Sequence, residues 1–150
     1  MDQPIDDVGR RIVELLQADG RMSYAALSQQ VGLSEAAVRQ RVNKMTADGT
    51  MQVVAVTDPL QLGFRRQAMV GITVQGPLEP VAEALAAIDE VTYLVLVAGG
   101  FDLLCEVLTA DDEGLLDLLS SRIRAVPGVT ATQTLTYLRL VKQTYAWGTR

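Results

Sequence analysis

The side chains with the clearest chemical potential lie in SEAAVRQRVNKMTADG, residues 34–49. Val38, Val42 and Met45 recur there at helical spacing, which predicts an amphipathic helix with these three side chains turned inward. At about 100° per residue, small, amide and basic side chains then share the outward side. Amides can pair with adenine edges, and arginine or lysine with guanine or phosphate, so this side has the chemistry of DNA reading. The predicted DNA-contacting residues are Ser34, Ala36, Ala37, Arg39, Gln40, Arg41, Asn43 and Lys44.

Two questions stay open when this helix is taken alone. A charged helix face is most often only the solvated surface of a small bundle. Arg41 is also ambiguous, because its angle puts it beside the apolar stripe, where it could pair with an acid of an earlier helix or hold a phosphate.

Two further helices are predicted before this one, and they favour the DNA interpretation. In IDDVGRRIVELL, residues 5–16, apolar side chains recur at helical spacing after a capping Asp6. The segment SYAALSQQVG begins at a capping Ser23 and ends at Gly32, and only the link GL separates it from the next helix. Two short helices joined by a tight turn that contains glycine form the helix-turn-helix pattern.

Composition restricts the other chemistry that the chain could perform. It has no histidine and one cysteine, Cys105, so neither a disulfide nor a usual zinc or iron site is expected, and the commonest general base is missing. We therefore predict no metal, no cofactor and no enzymatic activity. The net charge of −5 repels nucleic acid on average, so DNA binding requires a local basic surface. No segment has the pattern of a signal peptide or a membrane span, which predicts a cytoplasmic protein.

A second candidate site lies in YLVLVAGGFDLLCEVL, residues 93–108, where two glycines and Asp102 interrupt an apolar run. A two-residue turn at Gly99 and Gly100 predicts that Val97 opposes Asp102 across a hairpin. This pairing puts Asp102 on an apolar face of the hairpin. An unpaired carboxylate there costs free energy because it loses its hydration, so a positive partner is expected beside it. An ordinary hairpin and a ligand site are both consistent with this pattern.

The chain is predicted to have three parts. Residues 1–50 form a helix-turn-helix domain, 51–65 a strand and linker, and 66–150 a second domain with its own fold. The strand is predicted in MQVVAVT, before Asp58 and Pro59. From residue 66 the patterns follow the order βαββαβ, with helices on one side of an antiparallel sheet. The predicted fold class is α+β, with an N-terminal helix-turn-helix domain and a C-terminal ferredoxin-like βαββαβ sandwich domain.

Both faces of the predicted hairpin are apolar. One face lies under the helices, and strict alternation predicts that it carries Leu94, Leu96, Ala98, Phe101, Leu103, Cys105 and Val107. The other face carries Val91, Tyr93, Val95, Val97, Asp102, Leu104, Glu106 and Leu108. Because this second face is too apolar to be left in water, we expect another copy of the chain to cover it, giving a homodimer.

The last strand carries threonines on one face, at positions 130, 132, 134 and 136. Four hydroxyl groups in a row could line a polar site. They are equally explained by an edge strand that shows good strand formers to water.

Together these segments resemble the leucine-responsive regulatory protein (Lrp/AsnC) family over nearly the whole chain. The first 51 residues are similar to the family's N-terminal module, with DGR before the second helix, GLS opening the third, and RV within it. The segment VAGGFDLLCEV resembles the family's G-x-x-D hairpin, and PGVTATQT resembles its last turn and strand.

The resemblance implies a bacterial or archaeal transcription regulator that forms dimers, often tetramers of dimers, and responds to an amino acid or a related metabolite. It implies an effector held between subunits near the hairpin, by Gly99, Gly100, Asp102, Thr132 and Thr134. The effector's ammonium group, or an Arg or Lys of a neighbouring chain, would then face Asp102. The chain departs from the family at Gly9, where an acid is common, and the tail TYAWGTR matches no family feature.

Two alternatives follow from the same architecture. Siroheme decarboxylases share it, but they rely on histidine near the substrate and this chain has none. A metabolite-binding or assembly protein with a degenerate helix-turn-helix is disfavoured, because the outward face retains groups that can read bases.

Overall fold

The computed structural model describes residues 5–149, which form two compact units. The first unit contains the described residues up to Val56 together with those from Lys142, and the second runs from Thr57 to Val141. Residues 1–4 and 150, which the predicted domains include, lie outside the described residues. None of the helices in the described part of the chain is long and apolar enough to cross a membrane.

Three helices form most of the first unit, and a side chain caps the start of each. The capping oxygens accept hydrogen bonds from N–H groups of the first turn, which have no partner inside the helix. Gly32 ends the second helix with a φ of 69°, a left-handed conformation that favours glycine. The capping residues are Asp6, Ser23 and Ser34. The helices are α1 (Asp7–Ala18), α2 (Tyr24–Val31) and α3 (Glu35–Ala47).

The inward sides of these helices form the core of the first unit. Ile12 of α1, Leu27 of α2 and Val38 of α3 are fully buried, and Val42 and Met45 are nearly so. The apolar stripe predicted from the sequence is therefore confirmed, and so are the helices that carry it.

The second unit begins with a short 3-10 helix (Pro59–Leu62), and its other elements follow in the predicted order βαββαβ. These elements are β1 (Arg66–Val74), α4 (Leu78–Ala86), β2 (Val91–Leu96), β3 (Leu103–Thr109), α5 (Asp112–Asp117), which continues as a π-helical turn (Leu118–Ile123), and β4 (Val129–Thr136). The strands form one antiparallel sheet in the order β2-β3-β1-β4, which confirms the ferredoxin-like α+β arrangement.

Both helices of the second unit pack on the same face of the sheet. Val81 and Leu85 of α4 join Leu118 and Ile123 in a single buried cluster with the inward side chains of β1 and β3. Cys105 is fully buried in this cluster, as predicted, and burial raises the pKa of its thiol to about 11. The thiol is therefore a packing group and not a reactive one.

The opposite face of the sheet, here called the open face, points away from both helices. Tyr93 and Leu135 are each about half exposed on it. Glu106 lies among its apolar residues and accepts a hydrogen bond from Gln67. Burial and the nearby Glu106 carboxylate raise the pKa of Tyr137. By the strand register the open face comprises Gln67, Met69, Gly71, Tyr93, Val95, Leu104, Glu106, Leu108, Gln133 and Leu135.

The hairpin between β2 and β3 has the predicted register from Tyr93 to Leu104 but not the predicted tight turn, and a register shift pairs Val91 with Val107, so Val91 packs against the core and not on the predicted face. Val95 opposes Leu104, and the Val97 N–H donates to the Asp102 carbonyl oxygen at 3.0 Å. The strands end before this pair, so residues 97–102 form a wider loop instead of a two-residue turn. The prediction of a two-residue glycine turn is wrong.

Phe101 lies on the face opposite to the one that strict alternation predicts. Its ring atoms lie 2.7 Å from the point that a Cβ on Gly71 would occupy, and Gly71 opposes Leu104 on the open face. Because the wider loop breaks the alternation, Phe101 covers Gly71 on the open face, where the absence of a side chain makes room for the ring.

The predicted strand in residues 51–57 is not formed. A strand needs a neighbour to bond its N–H and C=O groups, and no described strand of this chain lies beside the segment. Val53, Val54 and Val56 are left exposed.

The C-terminal tail ends against α1. The Gly148 N–H donates to Gln17 Oε1 at 3.0 Å, and the Thr149 hydroxyl donates to Glu14 Oε1 at 2.7 Å. These bonds explain why the tail groups with the first unit, whereas the sequence prediction includes it in the 66–150 domain.

Candidate functional site

Helix α3 is fixed in the first unit by its cap and by the turn before it. The Ser34 Oγ accepts a hydrogen bond from the Ala37 N–H at 3.2 Å, which defines where the helix begins. The preceding turn is closed by hydrogen bonds from the N–H groups of Gly32 and Leu33 to the Ser28 carbonyl oxygen. The cap and turn bonds set the start of the helix, and burial of its stripe at Val38 sets its rotation.

The outward side of α3 is exposed, with the composition predicted for it. Four of its residues, together with Glu35, line an open groove of about 590 Å³. Lys44 is exposed one turn further on, and Ala37 is half-buried on the flank. The four predicted DNA-contacting residues in the groove are Ala36, Arg39, Gln40 and Asn43.

Arg39 is held by two neighbours that the sequence prediction did not include in the site. Its guanidinium bonds to the Glu35 carboxylate at 3.0 Å, one helical turn earlier. The same group lies over the ring of Tyr24, with Cζ 5.5 Å from the ring centroid. The spacing of Glu35 and Arg39 is visible in the sequence, but the contact with Tyr24 depends on how α2 and α3 pack.

Arg41 pairs with an acid at the start of the first helix, which is one of the two roles left open for it. Its Nη1 lies 2.8 Å from both carboxylate oxygens of Asp6. The Gly9 N–H and this guanidinium lower the pKa of Asp6, and the N–H is the larger cause. The pair connects α3 to the N-cap of α1, so a phosphate contact by Arg41 would compete with a structural ion pair.

In the hairpin, Asp102 bonds to the backbone of β1. Its Oδ2 accepts a hydrogen bond from the Val74 N–H at 2.7 Å, and its own N–H donates to the Ile72 carbonyl oxygen. The β1–β4 register shifts beside this bond, between Thr73 and Val74. The carboxylate thus satisfies an N–H group at an irregularity of the sheet, and the positive partner expected for it is not found among the described residues.

The glycines of the hairpin leave open space beside Asp102. Apart from each glycine itself and its two chain neighbours, no atom of the described residues lies within 4 Å of the point where a Cβ would stand on Gly99 or on Gly100. The loop backbone is therefore accessible to a ligand or to another chain.

The predicted threonines lie on the helix-covered side of the sheet. Thr132 opposes Ile72 and Thr134 opposes Val70, and both partners are buried in the core. The Thr132 hydroxyl accepts a hydrogen bond from Arg124 Nε at 3.0 Å. Within one chain these hydroxyl groups and the Asp102 carboxylate are not joined by any described hydrogen bond.

Comparison with known proteins gives two family matches that together span most of the chain. Residues 5–46 match the AsnC-type helix-turn-helix domain, and residues 67–147 match the Lrp/AsnC ligand binding domain. The boundary between the two matches falls in the linker that precedes β1.

Individual relatives agree with these matches. An uncharacterized HTH-type transcriptional regulator of Pyrococcus abyssi is 31% identical over 144 residues, covering 95% of this chain and 91% of that protein. The crystal structure of the leucine response regulatory protein of Mycobacterium tuberculosis has a TM-score of 0.84 at 33% identity, covering 92% of this chain and 95% of that one. A Neisseria meningitidis transcriptional regulator in complex with L-Met has a TM-score of 0.82 at 22% identity, covering 94% of each chain, and is a likeness of fold alone.

Proposed function

The chain belongs to the Lrp/AsnC family of helix-turn-helix transcription regulators, and we propose how its surfaces divide the work of a DNA-binding regulator that responds to a small effector. The proposal has three parts: α3 reads DNA, the hairpin of the second unit receives an amino acid, and the open face joins two copies of the chain. The exposed amide and basic side of α3 is the observation that carries it.

The DNA contact is proposed for the outward side of α3. Ala36 and Ala37 let the helix approach the base edges, Gln40 and Asn43 can pair with adenine, and the basic residues can pair with guanine or phosphate. The exposed basic residues on this surface are Arg39 and Lys44, and Ser34 at the helix start can donate its hydroxyl hydrogen to a phosphate. Arg41 lies on the flank and would have to exchange Asp6 for a phosphate.

The effector is proposed to be an amino acid bound at the hairpin loop. The exposed backbone at Gly99 and Gly100 can hold a carboxylate, and the side chain of Asp102 can face an ammonium group. Thr132 and Thr134 belong to the predicted site as well, and they would have to act from the helix-covered side. The likeness in fold to a regulator bound to L-Met is in line with this effector class.

Assembly is proposed to occur through the open face. An uncovered apolar sheet face is costly in water, and a second copy of the same face would bury it. A two-fold dimer presents two α3 helices to two half-sites of DNA, and dimers can assemble further into a tetramer of dimers. Such a regulator acts in the cytoplasm, where bacterial and archaeal DNA lies.

Gel shifts with the full-length chain test this function. The DNA is the region upstream of the protein's own gene, with a fragment of equal length from inside a gene as the control. We expect binding to the upstream fragment, and a changed midpoint with at least one member of a panel of amino acids. Absence of binding to any promoter fragment would contradict the DNA assignment, and binding that no amino acid alters would contradict the effector assignment.

A further inference from the structure

Arg39 on the outward side of α3 contacts both an acidic and an aromatic side chain. Its guanidinium touches a carboxylate at 3.0 Å and lies over an aromatic ring at 5.5 Å, although 58% of the Arg39 side chain is exposed. The ring belongs to Tyr24, the first residue of α2, which is half-buried and packs against the core of the first unit. An exposed basic side chain thus lies against an aromatic ring that packs on the core.

A guanidinium can make both contacts at once, because an aromatic ring and a carboxylate attract different parts of the group. An aromatic ring attracts the flat face of the group, so the N–H donors at its edge stay free to bond in the plane. Glu35 occupies one of these donors. A DNA phosphate, or O6 and N7 of guanine, offers the same kind of acceptor as the Glu35 carboxylate.

We propose that Tyr24 is a positioning residue for DNA recognition, because its ring holds the Arg39 guanidinium in place while the edge donors exchange Glu35 for an acceptor on DNA. The proposal rests on the proposed function, in which Arg39 contacts DNA. Contact with the ring already restricts the Arg39 side chain in the free protein. Less conformational entropy is therefore lost when Arg39 binds DNA. In the free protein, Glu35 accepts a hydrogen bond from the Arg39 guanidinium. Its carboxylate repels any phosphate that does not take its place, so Glu35 favours DNA that positions an acceptor at Arg39 over DNA that does not.

A double-mutant cycle tests the role of Tyr24. The affinity for upstream DNA is measured by fluorescence anisotropy for wild type, Tyr24→Leu, Arg39→Ala and the double variant. Tyr24→Leu should weaken binding about two- to fivefold, the range of an exposed cation–π contact. In the Arg39→Ala background the same change should have no effect, because the ring then has no cation to hold.

Two controls separate positioning from folding. Tyr24→Phe keeps the aromatic face and should bind as wild type does. The melting temperature shows whether Tyr24→Leu is folded, and Tyr24→Met, which also lacks a ring, replaces it if it is not. The salt slope of Tyr24→Leu should equal that of wild type, whereas Arg39→Ala should lower the slope by about 1 for each phosphate that Arg39 neutralises.

The outcomes distinguish this inference from the proposed function. Unchanged binding by Arg39→Ala would remove Arg39 from the DNA contact and overturn the positioning role, whereas absence of DNA binding by the wild type would overturn the proposed function. Arg39→Ala could weaken binding while Tyr24→Leu has an equal effect in the wild-type and Arg39→Ala backgrounds. That result would overturn the positioning role alone. A Tyr24→Phe variant as weak as Tyr24→Leu would also overturn it.

The role of Glu35 is tested by Glu35→Gln, with Glu79→Gln as the matched control. Both residues are glutamates in the first turn of a helix. Each change replaces glutamate by glutamine, so the two variants differ from wild type by the same net charge. Glu35→Gln should tighten binding to the control fragment more than to the upstream fragment, because the barrier to unmatched DNA is reduced. Equal behaviour of the two variants, or weaker binding by Glu35→Gln, would overturn this part.

Discussion

At the scale of single residues, Asp102 has one observed role and one proposed role, and the two roles use different properties of its carboxylate. One oxygen accepts the Val74 N–H at 2.7 Å, and any neutral acceptor could replace it there. The negative charge is not needed for that bond, and it is the property that an ammonium group would recognise. A substitution that keeps the acceptor and removes the charge therefore separates the two roles.

Asp102→Asn and Asp102→Ala should differ in stability but not in effector response. Asparagine can still accept the Val74 N–H, whereas alanine leaves it unbonded at a cost of about 1 kcal/mol. We expect both variants to bind DNA and to lose the amino-acid response, with only the alanine variant melting at a lower temperature. A normal response by Asp102→Asn would limit Asp102 to its structural bond.

Cys105 should resist thiol reagents while the chain is folded. Its pKa of about 11 means that the native thiol stays protonated at pH 8, and its burial excludes the reagent. The unfolded thiol ionises near its ordinary value, so the free energy of unfolding should fall as the pH rises above about 9. Absorbance with a disulfide reagent should show no labelling in buffer and one thiol in guanidinium chloride. Rapid labelling of the native protein would contradict the packing assigned to Cys105.

At the scale of elements, the helices followed from the sequence because their signals are local. The inward stripe at Val38, Val42 and Met45 and the serine caps depend on neighbours a few residues away. The hairpin register was also predictable, since pairing propagates from its centre. The wide loop at 97–102 and the reversed Phe101 were not predictable, because they depend on contacts with β1. The bond between Asp102 and Val74 was missed for the same reason.

Gly71 and Phe101 should behave as a coupled pair. A methyl group at Gly71 would meet the Phe101 ring, so Gly71→Ala should reduce the free energy of unfolding by about 1–3 kcal/mol, as overpacking does. In a Phe101→Ala background the same change should be neutral or stabilising, because alanine loses less backbone freedom than glycine. Urea unfolding of the four proteins at one concentration measures this. An equal cost in both backgrounds would show that the ring is not what occupies the space.

At the scale of the whole molecule, the features that the sequence left undecided are those for which a contact with another chain is proposed. The open face has an apolar composition, yet the helices of the same chain cover only the opposite face. The segment 51–57 has the composition of a strand, yet no described strand of the chain lies beside it. A single sequence predicts that such surfaces need partners, but it does not predict how a partner chain is positioned against them.

Two exposed leucines provide a matched test of the open face. Leu135 on that face is 50% exposed, and Leu116 of α5, on a different surface, is 60% exposed. Leu135→Lys should shift the chain towards monomer, because it places a charge in the proposed interface, and Leu116→Lys should not. Sedimentation velocity at several concentrations distinguishes these outcomes. If both variants assemble as wild type does, the copies do not meet through this face.

The central claim, that the outward side of α3 binds DNA, is tested most directly by one titration of fluorescent upstream DNA at several salt concentrations. It compares wild type with Arg39→Ala/Lys44→Ala and with a control, Arg139→Ala/Lys142→Ala, that removes two exposed charges outside α3. We expect the α3 variant to bind at least about tenfold more weakly, with a shallower salt dependence, and the control to change binding by less than about twofold. Equal losses in the two variants, or wild-type affinity in the α3 variant, would contradict the claim.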